Sequence, residues 1–284
     1  MVVLSTNNVS SSPSSSLRPK QPASSTSCQE ELSSFFLNIQ EESTYSQNGE
    51  DGVIQALLGR FGSDQHKYYV EFGTEQVIAH QVGQINTRFL REHQDYKGLL
   101  MDGGFENEQV NQHKEIITPS NINDLFAKYH VPREFNLLSI DIDFDDWWVW
   151  QAIDSHKYNP RVVITEYNSK LGMTENKVVN PKDPKRWTGS DHFGASFQAM
   201  KRLAAYKGYT LVYGEDMGVN LFYVRTDLLQ CPGLTLKDED IYKPPRYGNG
   251  GHPHNSDEDA HRHYIVNPDP ARMPDDSYPP QPTR

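Results

Sequence analysis

Two carboxylates stand at the end of a short apolar stretch near the middle of the chain. Residues 137–142 are almost continuously apolar, which is typical of a parallel strand covered on both faces. Asp141 and Asp143 are two residues apart, so their side chains point the same way in an extended chain. Because open α/β sheets bind ligands at the carboxyl ends of their strands, the pair is predicted to lie in a ligand site. The alternative is that these acids only cap the helix that follows from about Asp145.

Acidic residues also end other predicted strands. Glu71 precedes a turn at Gly73, where a glycine allows a tight turn and a close approach of ligand to backbone. An acid at such a turn can hold the amino group of a ligand. Asp102 ends the next strand, and its two oxygens can accept both hydroxyls of a ribose. The alternatives are an ordinary strand-to-helix turn at Gly73 and a solvated acid at Asp102.

The acids at the later strand ends predict either a metal site or a general base. Carboxylate and amide oxygens are ligands for hard cations such as Mg²⁺, and the predicted set is Asp141, Asp143, Glu166 and Asn168. A bound cation would orient a substrate oxygen and lower its pKa. Alternatively, one carboxylate could itself act as general base. His192 completes the predicted catalytic set with Asp141 and Asp143, although a lone histidine near a helix start is more often structural or exposed.

The elements that must position these residues alternate along the chain. Strands are predicted at 68–75, 98–102, 115–118, 136–143 and 161–168, with helices between most of them. A helix over 194–206 and a hairpin over 209–213 and 220–224 follow. The long polar segment 169–191 is predicted to be a lid or binding loop. The order predicts an α/β fold with a mostly parallel sheet and a terminal antiparallel hairpin, and this pattern resembles the Rossmann-like sheet of class I methyltransferases.

Composition limits the domain organisation and the partners. The net charge of -11 and the pI near 5.4 argue against a general nucleic-acid binder. A mean hydropathy of -0.73 indicates polar ends around a normal core. We expect a disordered Ser/Pro-rich leader over 1–40, an α/β domain over 41–231, and a polar His/Pro-rich tail over 232–284.

Cysteine content and hydropathy bear on the compartment. Two cysteines are too few for a disulfide framework or a zinc site, although the count permits one disulfide. A reduced compartment is therefore the default, and a cytoplasmic location is predicted. No apolar run approaches the roughly 20 residues that cross a bilayer, so no transmembrane segment is expected.

Ten short motifs together resemble the FkbM-like S-adenosylmethionine-dependent methyltransferases. They are residues 45–51, 70–73, 86–88, 98–103, 121–123, 138–143, 148–150, 160–163, 166–168 and 193–196. The resemblance implies a Rossmann-like methyltransferase that transfers a methyl group to a hydroxyl oxygen of a small molecule or glycan. It also implies the site residues: cofactor contacts at Glu71, Gly73, Glu75, Asp102 and Asn123, and pocket positions at Asp141 and Asp143. After Glu75 the family has a glycine, whereas this chain continues with Gln76 and Val77.

Two other functions compete with methyl transfer. The sequence Asp141-Ile142-Asp143 is a DxD, which in a glycosyltransferase-like enzyme could hold a metal ion and a sugar diphosphate. The same fold could also serve as a non-catalytic binding module. The sequence leaves the acceptor and the oligomeric state open.

Overall fold

A computed structural model describes residues 25–74, 84–183, 187, 189–247 and 262–272. The helices are α1 (Ser25–Leu37), α2 (Glu50–Phe61), α3 (Arg88–His93), α4 (Ile122–Lys128), α5 (Asp146–Ala152), α6 (Phe197–Tyr206), α7 (Thr226–Leu229) and α8 (Asp238–Ile241). The strands are β1 (Tyr68–Phe72), β2 (Lys97–Asp102), β3 (Gln112–Lys114), β4 (Glu134–Ile140), β5 (Asn159–Glu166), β6 (Lys177–Val179), β7 (Tyr209–Gly214), β8 (Asn220–Arg225) and β9 (Tyr264–Val266). Short 3-10 helices lie at Asp64–His66, Glu108–Val110 and Ser169–Leu171.

Seven strands form one mixed sheet in the order β3-β2-β1-β4-β5-β8-β7. The first five are parallel, whereas β8 runs antiparallel to both of its neighbours. The predicted mostly parallel sheet with a terminal hairpin is confirmed, and its first five strands follow the Rossmann order. Strand order reverses between β1 and β4. Ligands of such sheets bind beside this point, at the carboxyl ends of the strands.

Both faces of the sheet are covered, which explains the continuous apolar pattern of β4. Leu138 belongs to a core with the helices α4, α5 and α6, and Leu137 points into the opposite core with α1 and α2. Trp147 and Trp150 of α5 are almost fully buried in the first core. The tryptophan-rich helix is therefore fixed directly after the two predicted site acids.

A second, two-stranded sheet lies beside α5. β6 pairs antiparallel with β9, and Trp148 Nε1 of α5 donates a hydrogen bond to the Val179 carbonyl oxygen at 3.0 Å. The polar segment 169–191 therefore contains a short strand that the sequence did not indicate. Its partner β9 comes from the predicted tail, and a pairing across so long a stretch leaves no local pattern.

The structure moves both predicted domain boundaries. Within the predicted leader, α1 buries Leu32 and Phe36 against the sheet. Within the predicted tail, residues 232–247 and 262–272 pack on the same body, as β9 shows. The third strand is also shifted: β3 is Gln112–Lys114 and not residues 115–118. Residues 1–24, 248–261 and 273–284 lie outside the described residues, so the predictions made for them are not addressed.

The two cysteines are paired. Cys28 of α1 forms a disulfide with Cys231, which follows α7, and the two Cα atoms are 5.7 Å apart. The pairing was permitted by the cysteine count but could not be deduced from it. Across the described ranges, no helix combines the length and the apolar character needed to cross a membrane.

Candidate functional site

Three carboxylates meet at the carboxyl ends of β4 and β5. Ile140 pairs with Thr165 across these strands, so the residues that follow, Asp141 and Glu166, come to neighbouring positions. Asp143 lies beside Asp141 and Glu166, because its left-handed backbone, with φ of 66°, turns the chain at this point. One oxygen from each of Asp141, Asp143 and Glu166 lies within 4.8 Å of the others. We refer to these three residues as the carboxylate triad.

A fourth acid supports the segment that carries two members of the triad. This segment, residues 141–146, is called the acidic loop. Asp146 Oδ1 accepts a hydrogen bond from the Ile142 backbone N–H at 2.9 Å, which holds the loop in a tight turn. Asp146 is fully buried, and its Oδ2 has no hydrogen-bond partner in the part of the chain that the structure describes. Sequence reasoning treated this residue only as part of the helix start; the signal was four aspartates where one cap suffices.

The acids at this site raise one another's pKa values. Burial raises the pKa of Asp141 well above its usual range, and the charges of Asp143 and Asp146 add to the rise. Burial likewise raises the pKa of Glu166, with repulsion from Asp141 and Asp146. The pKa of Asp146 rises to about 7, again chiefly because of burial. Among the described residues, the strongest charges acting on Asp141 and Glu166 are those of other acids, so negative charge is concentrated at these strand ends.

Gly73 joins the end of β1 to the acidic loop. Its φ is +69°, and a Cβ atom there would lie 1.4 Å from the Asp141 carbonyl oxygen, so a side chain is excluded. Its N–H donates to the Met101 carbonyl oxygen at 3.0 Å. The ends of β1, β2 and β4 therefore meet at this glycine, as the sequence led us to expect. Its contact with a cofactor stays a prediction.

Glu71 is turned toward the start of α3. Its carboxylate accepts hydrogen bonds from the backbone N–H groups of Asn86 and Thr87 at 2.8 and 2.9 Å. The Thr87 hydroxyl donates a third bond at 2.5 Å. Burial raises the pKa of Glu71 to about 7 although these hydrogen bonds oppose the rise. The structure thus gives Glu71 a role in fixing α3 on the sheet, which sequence reasoning did not foresee.

Of the other predicted cofactor contacts, Asp102 and Asn123 are described, and they lie in different places. Asp102 lies on the same rim as Gly73, and its Oδ1 accepts a bond from the Gly104 N–H at 2.6 Å. The Asn123 amide instead joins α4 to the end of α5, because it donates to the Ala152 carbonyl and accepts from the Asp154 N–H. Glu75 lies outside the described residues.

Asn168 anchors a loop and is not directed at the triad. Its Nδ2 donates to the carbonyl oxygens of Asp191 and Phe193 at 2.9 and 3.1 Å, and its Oδ1 accepts from the Lys170 N–H. Both ends of the amide are occupied, so the structure favours a positioning role over the predicted metal-ligand role.

His192 is carried by the loop that Asn168 anchors. Its buried ring lies 4.4 Å from the Tyr264 ring and 6.3 Å from the Phe144 ring, measured between centroids. Its Nε2 is 3.8 Å from Asp183 Oδ2, which also accepts from Arg262 Nε at 2.8 Å. The histidine therefore packs beside Phe144 of the acidic loop, and its role as a base stays a prediction.

Two buried glutamates extend the acidic rim beyond the predicted set. Glu50, the first residue of α2, accepts hydrogen bonds from the Asn48 N–H at 2.7 Å and Asn220 Nδ2 at 2.9 Å. Its charge also acts on Asp141. Glu215 binds three backbone N–H groups, and burial raises its pKa to about 7. Neither glutamate was among the predicted site residues.

In comparisons with known proteins, no family model and no curated protein matches this chain. The resemblance to FkbM-like enzymes therefore stays a hypothesis.

Proposed function

We propose that this protein is an S-adenosylmethionine-dependent methyltransferase that acts on a hydroxyl oxygen of a small molecule or glycan. The observation that carries the proposal is the acidic rim at the carboxyl ends of β1, β2, β4 and β5 of a Rossmann-like sheet. This rim adjoins the point where strand order reverses, which is where such sheets bind ligands.

The residues along the rim suit different parts of the cofactor. S-adenosylmethionine, when bound, supplies an electrophilic methyl group on a positively charged sulfur. The buried charges of Asp141 and Asp146 favour a cation at this place. Asp102, at the end of β2, offers carboxylate oxygens to ribose hydroxyls.

The acceptor hydroxyl is proposed to lie against the triad. Asp143 is the exposed member, so an acceptor can reach it from solvent. In this arrangement the carboxylates would orient the acceptor oxygen toward the methyl group and receive its proton, while the carbon–oxygen bond forms and the sulfur–carbon bond breaks to release S-adenosylhomocysteine. Most of the rate enhancement would come from holding two reactants in line, since the cofactor supplies the reactive group.

Calorimetry with the purified full chain tests the proposal. We expect S-adenosylmethionine to bind, and Asp102→Ala to weaken binding about tenfold or more, the loss of about 1.4 kcal/mol that one good hydrogen bond represents. Asp64→Ala is the matched control, because Asp64 is an exposed aspartate in the 3-10 helix just before β1. A folded protein that gives no binding heat and no thermal shift with the cofactor would exclude this function.

A glycosyltransferase-like function is the second candidate. It is favoured by the convergence of the two DxD carboxylates with Glu166. Thermal stabilisation by a nucleotide sugar that requires Mn²⁺, with none by S-adenosylmethionine, would favour it over methyl transfer. Stabilisation by neither ligand would favour a non-catalytic binding module.

The disulfide bears on where the protein works. Disulfides persist in oxidising compartments and are rare in the cytosol, so the Cys28–Cys231 bond counts against the cytoplasmic location that composition suggested. We therefore propose that the chain folds in an oxidising compartment.

A further inference from the structure

We propose that a cavity beside α1 is a second ligand site, which binds a small amine with an apolar body. The cavity lies between α1, the edge strand β7 and residues 235–243, and no member of the carboxylate triad lines it. The proposal therefore does not depend on the methyl transfer proposed above.

The cavity has the size of a ligand site. Its volume is about 540 Å³, and protein pockets that hold small molecules measure roughly 300–1,000 Å³. Protein interiors are close-packed and seldom leave voids much larger than a water molecule. A hollow of this size between three elements of one chain therefore indicates an occupant.

Much of the cavity wall is apolar. The helix α1 turns one face toward the cavity, with Gln29, Ser33 and Leu37 four residues apart. Leu37 is 61% exposed although it is a large apolar residue. An apolar ligand group that covers this side chain gains the free energy of removing its surface from water. Further apolar residues of the lining are Phe36, Ile39, Val212, Leu236 and Ile241.

The cavity also contains a partly buried carboxylate, that of Glu41. Its Oε1 accepts hydrogen bonds from the Tyr213 hydroxyl at 2.9 Å and the Asp216 backbone N–H at 2.8 Å, so both bonds fall on the same oxygen. Burial raises the pKa of Glu41, with a contribution from the charges of Asp216 and Glu50. Lys243, in the same lining, pairs with the Asp216 carboxylate at 3.0 Å. A cation beside Glu41 would therefore stabilise its charged form.

The charges of the lining favour an ammonium group over a carboxylate in the ligand. The lining contains three acids and two lysines, and one of those lysines is held in the pair with Asp216. The other, Lys237, is exposed, so solvent screens its charge. An ammonium group at Glu41 forms a charge-assisted hydrogen bond, while an apolar body lies along α1. An amphipathic amine thus matches both parts of the cavity.

The walls of the cavity are fixed to one another without a ligand. The Cys28–Cys231 disulfide joins the start of α1 to the chain just before residues 235–243. Gln29 Nε2 donates to the Thr235 carbonyl oxygen at 2.7 Å, and Gln29 Oε1 accepts from the Thr235 N–H at 2.9 Å. A site held in this way loses little conformational freedom when a ligand binds.

Calorimetric titration of the oxidised full chain with octylammonium chloride tests the site. We expect one octylammonium bound per chain, and binding of octanol and octanoate weaker by about tenfold or more. Glu41→Gln keeps an oxygen for the bonds from Tyr213 and Asp216 but removes the charge. It should lower the affinity for octylammonium to that for octanol. Glu30→Gln is the matched control, because Glu30 is an exposed glutamate of α1 outside the cavity, and it should bind as the parent chain does.

A second variant fills the cavity and leaves its charges unchanged. Ser33→Trp places a large ring in the cavity and should abolish octylammonium binding. Ser34→Trp places the same ring on an exposed neighbouring residue outside this cavity and should bind as the parent does. Circular dichroism of each variant confirms the fold before titration. No binding heat with octylammonium, equal or tighter binding of octanoate, or binding that either Glu41→Gln or Ser33→Trp leaves unchanged would overturn the proposal.

Discussion

The two ends of the central sheet place their partly buried acids in opposite electrostatic surroundings. At the amino end, Glu134 of β4 forms an ion pair with Arg225 at 2.6 Å and accepts a hydrogen bond from Asn159 at 2.9 Å. At the carboxyl end, Glu166 of β5 lies among Asp141 and other acids, and its Oε2 has no hydrogen-bond partner within the described ranges. Burial works against ionisation at Glu134 too, yet Arg225 and Asn159 lower its pKa, whereas the pKa of Glu166 is raised.

The difference distinguishes acids that serve the stability of the fold from acids that are available for function. Acids at the amino end are neutralised by partners from the same chain, so their ionisation is compatible with folding. Within the described ranges, no basic side chain pairs with Asp141 or Glu166, and packing alone gives no reason to bring these acids together. We infer that a cationic ligand binds at that end, while the amino end maintains the fold.

Among the changes proposed for the amino end of the sheet, removal of the disulfide is expected to lower the free energy of unfolding the most. Cys28 and Cys231 are 203 residues apart and connect α1 to the chain just beyond β8. For so long a loop, Cys28→Ser with Cys231→Ser should lower the free energy of unfolding by about 3–5 kcal/mol. Guanidinium unfolding measures the loss. The parent chain in reductant should match the double variant, and equal stability of oxidised and reduced parent would contradict this part of the account.

Breaking the Glu134–Arg225 pair should have a moderate effect. Arg225→Met leaves Glu134 without its cation, but Glu134 is partly exposed, so we expect a loss of only about 1–2 kcal/mol. A double-mutant cycle with Glu134→Gln measures the coupling between the two side chains. A coupling energy near zero would remove the contrast between the two ends.

Lys207 provides a pH test at the amino end. Burial lowers the pKa of Lys207 to about 8, and its Nζ donates to the Ile153 carbonyl at 2.8 Å beyond α5. Above that pH the folded state loses a proton that the unfolded chain retains until about 10.4, so stability should rise with pH. We expect the free energy of unfolding, measured in urea, to rise by on the order of 1 kcal/mol between pH 8 and 9.5. This rise in stability with pH should disappear in Lys207→Met. A rise that persists in the variant would show that other groups cause it.

Local sequence patterns were enough to predict the central elements of the fold. The apolar run of β4, the spacing of Asp141 and Asp143, and the terminal hairpin all depend on neighbouring residues, and each appears as predicted. The proximity of Glu166 followed from strand order, because parallel neighbours end at the same edge.

Long-range contacts account for what the sequence did not reveal. Glu71 bonds to the segment before α3, and Asn168 bonds to a loop more than twenty residues later, so neither role has a local signature. The strand β9 pairs with β6, which lies far earlier in the chain. The helix α1 contributes few large apolar residues, Leu32 and Phe36 among them, which a polar leader readily conceals.

The most direct test of the contrast is the unfolding free energy of Glu166→Gln beside that of Glu134→Gln, both in EDTA. Neutralising Glu166 relieves repulsion among buried acids, so we expect stability to rise by about 1 kcal/mol. Neutralising Glu134 removes an ion pair and should lower stability by a similar amount. Opposite signs are the predicted result. A loss of stability in Glu166→Gln equal to that in Glu134→Gln would show that both ends serve folding alike, and would contradict the account.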